Sequence, residues 1–315
     1  MNRAGYQHSK QENNRARLER AALELEQNTA RFSWQVGQLA RALPQLREQG
    51  VRRGAAGVLK GYFFGYRGAN GAKYEREIDV ALPIDSKIPF EPKELPVYIS
   101  FVGLWISGVN FLKKEFGKGA SADIGKFVTD LAALYPEAAE IFRNAQTSFE
   151  RTGDGGLKFK ILRAVDASKN AAPSLHVEVA AHTCYRIADI IDAHAKNPAD
   201  YESIKELYFR KVVEILESVL LVKQHVVMDI GVGLAVLSGR DKLFTADRAE
   251  KMVNAMFEKN SYGMDPETVR KIHTVILEIY DKVTKKITAA PSTPLPEVIV
   301  GYLKEFDAEK STRQL

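Results

Sequence analysis

Apolar residues recur at spacings of three and four along most of this chain, and runs that alternate between apolar and polar residues are few. Spacings of three and four place side chains on one face of an α-helix, whereas alternation would place them on one face of a strand. The pattern predicts helices over residues 11–43, 122–134, 136–148, 175–195, 201–237, 245–259 and 266–287, with a last short helix over 298–306. We therefore expect an all-α fold.

Proline and glycine divide these helical patterns. Asp265 precedes Pro266, which is the combination of a capping side chain and a proline at the first helical position that starts a helix. Residues 51–92 are rich in glycine, aromatic residues and later proline, so we expect a long connection there. The expected division is an N-terminal helical region with its connection over 1–92, a helical bundle over 93–290, and a linker with a C-terminal helix over 291–315.

The composition is that of an ordinary globular protein. Its 315 residues are 45% hydrophobic, which is enough for a sizeable core. Cys184 is the one cysteine, which excludes an internal disulfide. The net charge of +5 arises from 45 basic and 40 acidic side chains, a nearly balanced set, and no basic and aromatic module for nucleic acid stands out. We expect no nucleic-acid partner.

Two segments of the sequence indicate where in the cell the protein is expected to lie. The amino terminus, MNRAGYQHSKQENNRARLER, has no apolar core, so we expect neither a secretory signal nor an N-terminal anchor. Residues 95–112 carry no charge and approach the length of a membrane span, but proline, glycine, serine and asparagine dilute them. We expect a cytoplasmic or membrane-associated protein in which this segment is packed, or lines a groove for an acyl or prenyl chain.

Two histidines have neighbours that suit phosphoryl chemistry. His225 and Asp229 are four residues apart and would share one face of the helix predicted over 201–237. A carboxylate beside one imidazole nitrogen fixes the tautomer and leaves the other nitrogen free as a nucleophile or base. His176 follows Pro173 and Ser174 at an expected helix start, where backbone N–H groups and a hydroxyl can hold an oxyanion. His176 would be the general acid.

The order and spacing of these residues resemble the type 2 phosphatidic acid phosphatase superfamily. The block PSLH spans residues 173–176, and SVLLVKQHVVMD at 218–229 has the spacing of the S-R-x5-H-x3-D block. The K-x6-R-P block is degenerate, with Asn144, six residues, Arg151 and Thr152. The resemblance implies a helical bundle like the core of these phosphatases and of the vanadium haloperoxidases, here with extra N- and C-terminal helices.

The resemblance also implies a role for each site residue. His225 would attack phosphorus, Asp229 would orient it, and His176 would protonate the leaving group. The residues that would bind the phosphate oxygens are Ser174, Ser218, Arg151 and Lys223. Neither a metal nor another cofactor is required.

Two departures from the pattern weaken the expected phosphate site. Val219 stands where arginine is usual, and Lys223 is the nearest substitute for the missing charge. Asn144 stands where lysine is usual. Other cations near that block that can replace the lysine are Arg143, Lys158, Lys160 and Arg163.

The resemblance implies hydrolysis of a lipid or isoprenoid phosphate or diphosphate through a phosphohistidine intermediate. The expected substrate is therefore an amphiphilic phosphate or diphosphate, and we expect peripheral contact with a membrane. Transfer to an alcohol and cyclisation of a prenyl diphosphate would use the same pocket. A different alternative is a non-catalytic helical protein, a scaffold or lipid binder, in which the site has decayed at Val219 and Asn144. The sequence leaves the substrate and the oligomeric state open.

Overall fold

The computed structural model describes residues 16–17, 77–153, 155–165 and 171–313. Across these residues the fold is all-α, as the apolar spacing predicts. The strands are two pairs of residues, β1 (Ile78–Asp79) and β2 (Thr147–Ser148), which pair in parallel.

The helices follow one another with short connections. In chain order they are α1 (Leu95–Tyr98), α2 (Phe101–Phe116), α3 (Ser121–Asn144), α4 (Gly156–Val165), α5 (Leu175–His194), α6 (Glu202–Leu221), α7 (Val227–Arg240), α8 (Ala246–Asn254), α9 (Pro266–Ala289) and α10 (Leu295–Arg313). Short 3-10 turns lie at Pro83–Lys87, Pro92–Glu94, Gly117–Ala120 and Pro198–Tyr201.

Helix α5 is the centre of the bundle. It packs against α2, α3, α6 and α7, and α9 covers the other side of α7. Most of its residues between Leu175 and Ile191 are buried, so it is apolar on several faces, as expected of a helix surrounded by others. Helix α10 packs against α3, α7 and α9, and β1 contributes Ile78 to the same core.

Several helices differ from the sequence prediction. The helix expected over 201–237 is two helices, α6 and α7, because the chain turns at Lys223, whose φ of 54° is left-handed. In that turn the N–H groups of Gln224 and His225 both donate to the Val219 carbonyl. Conversely, the helices expected over 122–134 and 136–148 are one helix, α3, which continues through Pro136. The helix expected over 245–259 is shorter, since α8 ends at Asn254. The last helix, expected over 298–306, is longer, since α10 spans Leu295–Arg313. Helices α1, α2 and α4 were not predicted.

Other predicted elements are confirmed. The pattern over 175–195 is α5, and that over 266–287 is α9. At the start of α9 the Asp265 carboxylate accepts the N–H groups of Glu267 and Thr268, both at 2.9 Å. The helix predicted over 11–43 lies outside the described residues, apart from Ala16 and Arg17, which are helical.

One helical stretch, Pro92–Asn144, is long and apolar enough by composition to cross a membrane. Over half of its most apolar window, 56%, is buried inside the protein. The buried side chains of α2 include Leu104, Trp105 and Val109, which belong to the common core. The core helix of a globular protein has the same composition, so the stretch is weak evidence for membrane association.

Candidate active site around His225

The turn between α6 and α7 positions His225. Lys223 adopts the left-handed conformation that non-glycine residues rarely use, and the following two N–H groups bind the carbonyl of Val219. This arrangement places His225 one residue before the cap of α7, and its side chain is only 6% exposed. The main chain of His225 is therefore fixed by the turn before it and by the start of α7 after it.

The Asp229 carboxylate binds both the start of α7 and the His225 ring. Its Oδ2 accepts the Val226 N–H at 3.0 Å and lies 3.0 Å from His225 Nδ1. Its Oδ1 is buried and has no hydrogen-bond partner within the described part of the chain. When Nδ1 carries the ring proton and donates it to this carboxylate, Nε2 carries a lone pair. The prediction of one continuous helix was wrong, but the His225–Asp229 contact it was meant to explain is present.

His176 reaches the same place from α5. Ser174 caps that helix, because its hydroxyl accepts the Val177 N–H at 3.4 Å, and His176 lies in the first turn. Its Nδ1 is 3.4 Å from His225 Nε2. The ring stacks on Tyr98 with centroids 4.3 Å apart and also contacts Phe101 at 4.3 Å. The two aromatic rings of α1 and α2 thus fix the orientation of His176.

The starts of α5 and α7 approach each other closely. The Ser174 N–H donates to the Asp229 carbonyl at 3.3 Å. A Cβ atom on Gly233 would lie 3.3 Å from the Ser174 carbonyl oxygen, so the glycine permits this approach. Two segments far apart in sequence, PSLH and the His225 turn, therefore meet.

A cavity of about 380 Å³ opens on His225. Its apolar wall consists of Ala81, Leu82, Ile88, Phe90, Phe149, Leu220 and Val226. Its polar lining consists of Asp85, Ser86, Glu150, Thr152, Lys223 and His225. Among the described residues that line it, His176 is absent, so His225 is the histidine that faces the cavity. A larger cleft of about 830 Å³, between α6 and the segment that follows α8, contains none of the predicted site residues.

Asp85 is a site residue that the sequence did not reveal. Its Oδ1 accepts the Val227 N–H at 2.9 Å, and its Oδ2 accepts the Leu82 N–H at 2.7 Å. Burial raises the pKa of this carboxyl to about 6, a rise that the two backbone N–H bonds oppose and the nearby Asp229 reinforces. It lies in the proline-containing segment that was expected to be only a connection, where no motif marks it.

Lys223 lines the cavity, but its ammonium group is bound to the protein. Its Nζ donates to the carbonyls of Asp85 at 2.9 Å and Ile88 at 2.5 Å. Burial lowers its pKa, and the Asp85 carboxylate opposes that change. Lys223 therefore ties the 3-10 turn at Pro83–Lys87 to the His225 turn.

The remaining predicted phosphate ligands have separate positions. The Ser218 hydroxyl is fully buried and donates to the Ile215 carbonyl at 2.8 Å, and Ser174 serves as the cap of α5. Arg151 is half-buried beside the cavity wall, with its guanidinium 5.8 Å from the centre of the Phe149 ring. Their roles toward phosphate stay predictions. Asn144 is exposed and donates to the Glu140 carbonyl.

No group of three or more His, Cys, Asp or Glu residues within the described ranges is arranged to hold a metal ion. Comparison of the chain with protein-family models, with curated proteins and with solved structures finds no match.

Proposed function

We propose that this protein is a phosphatase that acts on an amphiphilic phosphate, a lipid or isoprenoid phosphate or diphosphate, with His225 as the nucleophile. The observation that carries the proposal is the geometry of His225. Its Nδ1 lies 3.0 Å from the Asp229 carboxylate, and its ring faces a cavity of about 380 Å³. An imidazole held in this way presents an unprotonated nitrogen to a bound substrate.

The lining of the cavity supports an amphiphilic substrate. Leu82, Phe90 and Phe149 form an apolar wall on which a hydrocarbon chain can pack, while His225 and Lys223 lie in the same cavity. Pockets for small molecules typically have such a mainly apolar lining with few polar groups, and 380 Å³ lies within their usual range of about 300–1,000 Å³. The resemblance of PSLH and S-x6-H-x3-D to lipid phosphatases is a second support.

The chemistry proceeds in two displacements. His225 Nε2 attacks phosphorus, the phosphorus–oxygen bond to the leaving group breaks, and a phosphohistidine forms. Water then attacks the same phosphorus, the nitrogen–phosphorus bond breaks, and phosphate leaves. Asp229 stabilises the positive charge that the ring carries in the intermediate. The His176 N–H, now 3.4 Å from Nε2, would turn to a phosphoryl oxygen once the substrate displaces that contact.

Phosphate release tests the proposal directly. The full-length protein is incubated with octyl phosphate, phosphatidic acid and farnesyl diphosphate in the presence of EDTA, and His225→Ala is compared with His194→Ala. His194 is a matched control because its Nε2 lies 2.7 Å from Asp123, a second His–Asp pair outside the cavity. We expect release that survives EDTA, is lost in His225→Ala, and persists in His194→Ala. Equal release from both variants would exclude His225 as the nucleophile.

A non-catalytic lipid-binding function is the second candidate. It is favoured by the internal hydrogen bonds of Lys223 and Ser218, which bind carbonyl groups of the protein. Calorimetric titration with octyl phosphate and octanol separates the two candidates. Binding of both ligands, without phosphate release from any member of the panel, would favour the binding protein.

A further inference from the structure

Attack at phosphorus by His225 produces an alkoxide leaving group that needs a proton. An alkoxide is a poor leaving group in water at neutral pH, so an acid in the cavity is worth about 10²–10⁴-fold in rate. The acid must reach the oxygen opposite the attacking nitrogen. The acid must therefore be a titratable group that lines the cavity in which the substrate binds.

His176 is poorly placed for this task. Its Nδ1 points to His225 Nε2 at 3.4 Å, on the side of the nucleophile, and its ring is held between Tyr98 and Phe101. It does not belong to the described lining of the cavity. The in-line arrangement of a displacement puts attacking and leaving groups on opposite sides of phosphorus. When the substrate displaces that contact, His176 is near the phosphoryl oxygens and not the leaving oxygen, which lies on the far side of phosphorus.

Asp85 is a carboxyl group of the cavity itself. Its Oδ1 is fixed by the N–H of Val227, two residues after the nucleophile, and its Oδ2 by the N–H of Leu82. Each carboxyl oxygen has two lone pairs, so a proton can be carried beside these bonds. The Lys223 ammonium holds the Asp85 main chain in place. The carboxyl group is therefore fixed in relation to His225.

We propose that Asp85, and not His176, is the general acid that protonates the leaving group and then the base that activates water; this rests on the proposed phosphatase function. In the first step the Asp85 O–H proton passes to the leaving oxygen as the phosphorus–oxygen bond breaks and the phosphorus–nitrogen bond forms. An alcohol leaves, and Asp85 becomes a carboxylate. In the second step that carboxylate takes a proton from water as the water oxygen bonds to phosphorus, the phosphorus–nitrogen bond breaks, and the acid is restored.

The electrostatic surroundings of Asp85 suit both halves of this cycle. Burial and Asp229 favour the neutral form, while Lys223 and the two backbone N–H groups favour the ionised form, and the pKa of about 6 results from their balance. A group with a pKa near the working pH can both give and take a proton. Glu150 also lines the cavity but is exposed to solvent.

The dependence of rate on the leaving group tests this role. A p-nitrophenolate leaves without protonation, whereas an octyl alkoxide does not, so loss of the acid affects the two phosphates differently. The full-length protein and the variants Asp85→Asn, His176→Asn and His225→Ala are assayed on octyl phosphate and p-nitrophenyl phosphate. Asp247→Asn, at an exposed position of α8, is the matched control.

We expect Asp85→Asn to lower kcat for octyl phosphate by about 10²–10⁴-fold and to change kcat for p-nitrophenyl phosphate by much less. His176→Asn should lower both rates by similar factors, and Asp247→Asn should change neither. Since the ratio of the two rates is measured within one protein sample, partial misfolding of a variant does not alter it. If Asp85→Asn does not fold, Asp85→Ser, which also removes the carboxylic acid, decides the matter through the same ratio.

Three results would overturn the proposal. One is an unchanged ratio in Asp85→Asn, and another is a change of ratio in His176→Asn, which would return the acid role to His176. In both cases the proposed phosphatase function would still stand, provided that the wild-type protein releases phosphate and His225→Ala does not. The third is absence of release from either phosphate by the wild-type protein, which would remove the proposed function and the role of Asp85 with it.

Discussion

One oxygen of Asp229, Oδ2, lies 3.0 Å from His225 Nδ1 and also accepts the N–H that begins helix α7. The orientation of the imidazole is therefore coupled to the capping of a helix that is buried over most of its length. A carboxylate at a helix start also interacts favourably with the positive end of the helix dipole. The same residue thus supports the fold and sets the tautomer of His225.

Replacement of Asp229 by Asn should disturb both contacts, because the one oxygen Oδ2 makes them both. The oxygen of the asparagine amide only accepts hydrogen bonds, and its NH₂ group only donates them. If the NH₂ group faces His225 Nδ1, that nitrogen must accept, so the imidazole proton moves to Nε2 and the nucleophile is lost. In a Ser-His-Asp triad the equivalent change costs about 10⁴-fold in kcat, and we expect a loss of roughly 10²–10⁴-fold in phosphate release here. Nitrogen NMR of the His225 ring reports the tautomer without any substrate.

Asp123→Asn is the control for Asp229→Asn. It removes the carboxylate that lies 2.7 Å from His194, which is outside the cavity, so phosphate release should stay at the wild-type level. The explanation given for Asp229 would be wrong if the His225 ring of Asp229→Asn kept its proton on Nδ1 while release fell by the same factor.

The contact of α7 with α9 depends on Gly231. A Cβ atom added there would lie 2.7 Å from Ile279 Cγ2 and 2.9 Å from the Ile276 carbonyl oxygen, which is backbone and cannot move alone. Gly231→Ala should therefore lower the free energy of unfolding by about 1–3 kcal/mol, the usual cost of overpacking a core. Urea unfolding at equilibrium measures the difference.

Gly125→Ala is the matched variant for this test. Gly125 lies inside α3, and a Cβ added there meets nothing within 4 Å. Alanine is a better helix former than glycine, so this variant should gain about 0.5–1 kcal/mol. If Gly231→Ala and Gly125→Ala both raised the free energy of unfolding, α7 and α9 would not pack as closely as the structure places them.

The positions of His176 and the start of α5 followed from the sequence because a single local rule decides them. Ser174 is a capping residue followed by an apolar pattern of helical period, and the helix begins as predicted. The meeting of His176 with His225 was predicted from a resemblance of motifs. Neither capping nor periodicity specifies it, since the two residues are 49 positions apart.

The turn at Lys223 and the role of Asp85 could not be read from the sequence. The apolar run continues through Leu221, Val222 and Val226, so periodicity gives no sign of a break, and a lysine seldom marks a left-handed turn. Asp85 binds Val227 across 142 positions. A contact of that separation is set by the packing of the whole bundle, and local patterns do not contain it.

The buried carboxyl of Glu217 predicts how stability depends on pH. Burial raises its pKa from the ordinary 4.5 to about 7, reinforced by Glu214 and Glu94 and opposed by the Phe257 N–H and by Lys259. Between these two pH values the folded protein holds a proton that the unfolded chain has released. The stabilisation is therefore complete below pH 4.5 and is lost as pH rises through about 7.

Glu217→Gln keeps an oxygen that can accept the Phe257 N–H but cannot ionise, so it should lack the loss of stability that ionisation of Glu217 causes. Since each pH unit across the window is worth about 1.4 kcal/mol, the free energy of unfolding of the wild type should fall by roughly 3 kcal/mol relative to Glu217→Gln between pH 4.5 and 8. Urea titrations at four pH values measure the difference, and contributions from other groups cancel in it. Gly125→Ala, compared in the same way, should show an offset that does not change with pH. A Glu217→Gln offset that is equally constant would mean that water reaches the Glu217 carboxylate through the cleft between α6 and the segment that follows α8.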